Sequence, residues 1–142
     1  MKNKIIKSII TITVGLTVVG SGSVSVNAAS WHKGTPKSLQ GKWQAQWYTR
    51  DGGPTKYLKV IRTSISKKNV NSYETGYIKG KRGSSDMSRP IAMNAKYKYL
   101  GKHTYQITGK ALSTTYTFKA KWYSHNKIKI SDKYETHYFH RY

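Results

Sequence analysis

The chain predicts an all-β domain: an antiparallel meander, closed most simply as an eight-stranded up-and-down barrel, with a β-sandwich as the alternative. Three observations predict it. Apolar and polar residues alternate with period two in successive stretches, as in strands with one buried face. The stretches recur about every ten residues with short turns between them, the spacing of consecutive hairpins. Outside the N-terminal segment, no window carries a helical apolar stripe. A barrel is favoured physically because closure leaves no sheet edge open.

Residues 1–28 read as a secretory signal. Lys2, Lys4 and Lys7 open the segment, Ile9 to Val19 is a short apolar run, and Val26 and Ala28 occupy small-x-small positions before Ala29. A membrane-spanning helix needs roughly 20 apolar residues; this run is shorter and mixed with Gly and Thr, and no second apolar run follows. The expected mature protein is therefore secreted, with no transmembrane segment. Of the 26 Lys and Arg residues, three leave with the signal; 23 remain against five acids, a formal excess of 18 positive charges. That charge repels itself and attracts polyanions. With no cysteine, neither a disulfide framework nor a thiol-linked lipid anchor is available, and the core alone must hold the fold.

Residues 29–40 read as a polar lead-in, with Gly34-Thr35-Pro36 as a bend, and residues 41–142 as the domain. Trp43, Ala45 and Trp47 alternate with Lys42, Gln44 and Gln46 in a first strand, which Asp51-Gly52-Gly53-Pro54 breaks. Thr55 to Ile65 is β-branched and aromatic, Ser66 to Asn69 is a turn, and Val70 to Lys79 is a third strand. Gly80 to Ser85 is rich in Gly and Ser and reads as a loop continuing to Pro90. Then Ile91, Met93, Ala95, Tyr97 and Tyr99 alternate on one face. Gly101-Lys102 turns the chain into Thr104 to Thr108. Tyr116, Phe118, Ala120 and Trp122 alternate with lysines and threonines, Ile128 and Ile130 mark a seventh strand, and Tyr134 to Tyr142 is the eighth.

Leu39-Gln40-Gly41-Lys42-Trp43 resembles the Gly-x-Trp start of the first strand in lipocalins and their calycin relatives. The resemblance implies a calycin-like barrel in which Gly41, Trp43 and Arg141 close one end, the Arg of the last strand packing over the Trp. The segment from Trp31 to Lys37, followed by Leu39 and Gly41-Lys42-Trp43, also looks like small secreted proteins of lactic-acid bacteria. A calycin-like bore implies a small apolar ligand as an alternative partner, within a lining of Trp47, Tyr97, Tyr99, Tyr116 and Trp122. The chain departs from typical lipocalins in showing no helix after the barrel and no disulfide.

No catalytic, metal or cofactor-binding residues are assigned, and the expected function is non-enzymatic. Paired-carboxylate hydrolysis needs two convergent acids, and Asp51, Asp86 and Asp132 read as turn or loop residues. Glu74 and Glu135 lie in expected strands, where lysines can pair with them. His137 and His140 are three apart on a strand and face opposite sides, so they cannot chelate together. Gly80-x-x-Gly83 lacks the Lys-Ser/Thr ending of a phosphate-cradling loop. What remains is charge. Lys79, Lys81, Arg82 and Arg89 cluster around the Gly/Ser segment, and Lys119, Lys121, Lys127 and Lys129 share one hairpin. These two groups are the candidate polyanion-binding residues, and the expected partners are anionic polymers of a cell envelope. Nucleic acid ranks lower, because the open oligonucleotide-binding barrel has five strands rather than eight.

Overall fold

The computed structural model describes residues 29–142, and the expected signal segment lies outside them. Nine strands form one antiparallel sheet: β1 His32–Lys33, β2 Gly41–Thr49, β3 Tyr57–Ile65, β4 Val70–Ile78, β5 Lys81–Gly101, β6 Thr104–Ala111, β7 Thr114–Ser124, β8 Lys127–Ser131 and β9 Thr136–Arg141. From β2 to β9 each strand pairs with the next, and β9 returns to β2, so eight strands close an up-and-down barrel.

Two departures from the sequence reading concern β5 and the lead-in. The Gly/Ser segment expected as a loop is the first half of β5, paired with β4 from Ile78–Lys81 to Val70–Ala92. Hairpin pairing with the adjacent β4 overrides weak intrinsic strand propensity here. The second half of β5 pairs with β6, from Met93–Lys110 to Gly101–Thr104. Between the halves the strand is irregular: Asn94 takes a positive φ of 48°. The expected single face of Ile91, Met93, Ala95, Tyr97 and Tyr99 is therefore broken. Ala92 and Ala95 are buried, whereas Met93 is exposed. Gly109 on β6 permits the close approach, since a Cβ there would stand 2.7 Å from Ala92 Cβ and 2.8 Å from Met93 O.

The lead-in belongs to the domain. β1 pairs with the second half of β5, covering the edge that β4 leaves. A 3₁₀ turn over Lys37–Leu39 places Leu39, fully buried, in the core.

The interior is filled. Leu39, Trp43, Ile61, Ile65, Val70, Ile107, Phe118, Ile128, Ile130 and Phe139 pack into one cluster, all within residues 29–142. Buried polar groups inside are satisfied: Thr63 and Ser72 hydroxyls lie 2.7 Å apart, and Ser72 Oγ donates to Pro90 O at 2.6 Å. At one end, Trp43 Nε1 donates to Leu39 O at 2.8 Å and the Arg141 guanidinium lies 4.3 Å from the Trp43 ring centroid. Arg141 also donates to the carbonyls of His125 and Gln40, which ties the last strand, a hairpin turn and the lead-in together.

Candidate functional site

The β7–β8 hairpin sets Lys121 opposite Lys129 and Ser124 opposite Lys127, and β8–β9 sets Lys129 opposite Tyr138 and Lys127 opposite His140. Opposed residues share a face. Because Phe118, Ala120, Ile128, Ile130 and Phe139 are buried in the bore, these lysines and tyrosines occupy the outer wall. There the ammonium groups gather around two rings. Lys121 stands 5.1 Å and Lys127 5.9 Å from the Tyr123 centroid; Lys127 stands 4.6 Å and Lys129 5.9 Å from that of Tyr138. The rings lie 5.9 Å apart. Like charges facing each other are unfavourable, and the ring faces offset part of that repulsion. Among the described residues, none of Lys119, Lys121, Lys127 and Lys129 forms an ion pair with an acid.

Beside this wall the barrel has a partly open seam. β2 and β9 pair only at Trp43–Arg141 and Gln44–His140, although β2 continues to Thr49 and β9 begins at Thr136. A groove of about 560 Å³ follows the gap, lined by Gln44, Gln46, Tyr138, His140 and Tyr142, with Trp47 and His137 stacked at 3.8 Å across it. Tyr138 belongs to both groove and lysine wall, so amides, aromatic rings and ammonium groups form one continuous surface.

The second basic group is divided. Lys79, Lys81 and Arg82 are exposed around the β4–β5 turn. Arg89 does not join them: it turns across the barrel mouth, 2.6 Å from Asp132 Oδ2 and 3.6 Å from Glu135 Oε1, with the Tyr134 ring 4.3 Å away. All five acids lie at this end, Asp86 opposite Glu74 in the β4–β5 pairing. On its other side Lys59 contacts Glu74 at 3.0 Å and Asp51 at 3.4 Å, and the Tyr57 hydroxyl donates to Asp51. Burial works against the Lys59 ammonium, but Glu74, through its hydrogen bond and charge, and then Asp51 outweigh it and raise its pKa above the ordinary 10.5. Sequence spacing does not reveal which partners meet in this network, because its members come from separate strands and turns that only barrel closure brings together.

Of the residues expected to line the bore, Trp47, Tyr97 and Trp122 pack partly buried against the core, joined by Tyr105. Tyr99 is exposed, and Tyr116 lines a groove at the mouth with Met87, Ile91 and Leu112. Between Ile61, Pro90, Ile130 and Phe139, beneath the ion pairs, the free space is about 10 Å³, at the lower limit for one water. Among the described residues no group of three or more His, Asp or Glu side chains converges on a metal position, and no helix is long and apolar enough to cross a membrane. His137 turns toward Trp47 and Glu135, while His140 lies beside Gln44 on the outer groove. Compared with known proteins, the chain matches no family model, no curated protein and no solved structure.

Proposed function

We propose that the domain is a non-enzymatic binding protein that acts outside the cell, after loss of residues 1–28, and holds anionic phosphate polymers of the cell envelope. One observation carries the reading: Lys121, Lys127 and Lys129 crowd around Tyr123 and Tyr138 with no acid paired to them. Lysines held near one another without counter-charges release counterions when a polyanion replaces them, which favours binding. The seam groove supplies a neighbouring surface for the neutral part of a repeat, because tyrosine rings stack on sugar faces and the Gln44 and Gln46 amides hydrogen-bond hydroxyls. The filled interior favours this wall over a carrier role for the bore.

The test is retention on purified cell walls, with and without their phosphate polymers. Lys121→Gln/Lys127→Gln/Lys129→Gln should weaken retention roughly a hundredfold, at about 1 kcal/mol for each charge near an anionic surface. Lys96→Gln/Lys98→Gln, on β5, should change it by less than about threefold, that is by roughly 0.5 kcal/mol or less. Unchanged retention in the triple variant, or equal retention on walls stripped of phosphate polymer, contradicts the reading.

A further inference from the structure

At the barrel end that holds the acid network, each of the four chain connections, counted with the last residues of the strands it joins, carries an exposed large apolar or aromatic residue beside cations. The β2–β3 connection has Tyr48 with Arg50 and Lys56, and the β4–β5 turn has Ile78 with Lys79, Lys81 and Arg82. The β6–β7 turn has Leu112 with Lys110, and the β8–β9 turn has Tyr134 with Lys133. In an up-and-down barrel alternate connections fall at the same end, so these four tips form one rim. Leu112 stands out on two independent counts. It is 92% exposed, and its φ of +54° lies in the left-handed region, at the first position of a two-residue hairpin turn where glycine is the ordinary occupant. A leucine there costs backbone strain and contacts almost nothing in return. Behind it a groove of about 450 Å³ runs inward, with Met87, Ile91 and Tyr116 on its walls beside the polar Ser88, Arg89 and Thr114.

We infer that this rim docks on the surface of an anionic lipid bilayer, with Leu112 as the principal apolar anchor. The four apolar residues sit on separate tips rather than in the contiguous patch a protein partner would bury. Apolar side chains entering the headgroup boundary, with Lys and Arg reaching back to lipid phosphates, are the chemistry of an interfacial contact. Charge complementarity identifies the partner: Arg50, Lys56, Lys79, Lys81, Arg82, Lys110 and Lys133 ring the mouth. The acids at that end are Asp51, Glu74, Asp132 and Glu135, all paired with Lys59, Arg89 or His137, and Asp86, exposed beside Glu74 in the β4–β5 pairing. Aromatic tips such as Tyr48 and Tyr134 suit the same boundary layer. This surface is separate from the lysine wall of β7–β8–β9, and the inference does not rest on polymer binding.

Sedimentation of the 29–142 domain with vesicles tests it, comparing pure phosphatidylcholine with phosphatidylcholine containing phosphatidylglycerol. Binding is expected on the anionic vesicles only. Leu112→Gly removes the anchor and relieves the turn, so binding should weaken about tenfold or more while the melting temperature stays level or rises. A merely structural leucine would lower it. Retention by phosphate polymer should be unchanged in this variant, and vesicle binding should survive Lys121→Gln/Lys127→Gln/Lys129→Gln. Vesicle binding that ignores Leu112→Gly, or that disappears in the triple lysine variant, overturns the inference. So does equal binding to neutral vesicles.

Discussion

Arg141 lies over Trp43, its guanidinium 4.3 Å from the indole centroid, and so fastens the last strand of the barrel to the first. The direct β2–β9 ladder is two residue pairs long, so this contact and the hydrogen bonds from Arg141 to Gln40 and His125 carry much of the closure at that end. Arg141→Ala should cost about 1–3 kcal/mol, from a cation–π contact of about 0.5–2 kcal/mol and lost charge-assisted hydrogen bonds. That lowers the melting temperature by several degrees in a domain of this size. Arg82→Ala, at the exposed turn, should leave it within about 1 °C. Equal melting temperatures for the two variants would contradict this account of closure.

Gly41 extends the same relationship. A Cβ at this position would fall within the Arg141 guanidinium, and Gly41 also holds a φ of +139°. Gly41→Ala should therefore displace Arg141 and lose much of the same stability. In a double-mutant cycle the two substitutions should be non-additive by about 0.5–3 kcal/mol. Full additivity would mean that the glycine serves its backbone alone.

Gly109 faces backbone rather than a movable side chain. Its added methyl would meet Ala92 and the Met93 carbonyl at the irregular point of β5. Gly109→Ala should destabilise by about 1–3 kcal/mol, read as a lower urea midpoint. An unchanged midpoint would show that β5 and β6 can separate there at no cost.

Lys59 makes stability sensitive to alkali. Its folded-state pKa is raised, so its contribution is complete below the unfolded value near 10.5 and is lost as pH rises through the folded value. The gap in melting temperature between the natural chain and Lys59→Met should be constant from pH 7 to about pH 10 and narrow above pH 10.5. A gap that stays constant into the alkaline range would contradict the pairing of Lys59 with Glu74 and Asp51.

Period-two alternation is enough to place β2 and β7, because successive side chains of a strand take opposite faces whatever the rest of the fold does. Trp43 and Ala45 are buried where that pattern put them, and so are Phe118 and Ala120. The lysine wall was legible for the same reason: a short turn forces Lys121 and Lys129 onto one face. The first half of β5 was not, because its Gly and Ser residues become strand only through pairing with β4. Sequence proximity groups Arg89 with Lys81 and Arg82, but its partners, Asp132 and Glu135, are 43 and 46 positions away. Tyr99 and Tyr116 obey the alternation but stand near the barrel ends, where an inward position does not guarantee burial.

The most direct measurement of the central claim is the salt dependence of binding to linear inorganic polyphosphate, by titration between about 0.05 and 0.5 M salt. Charge-driven association makes the logarithm of affinity fall linearly with the logarithm of salt concentration. If Lys121, Lys127 and Lys129 each neutralise one phosphate, Lys121→Gln/Lys127→Gln/Lys129→Gln should reduce the magnitude of that slope by roughly 2, taking about 0.7 per contact on a single strand. Affinity independent of salt, or a slope identical in the natural chain and the triple variant, would contradict the claim that this wall is the polyanion site.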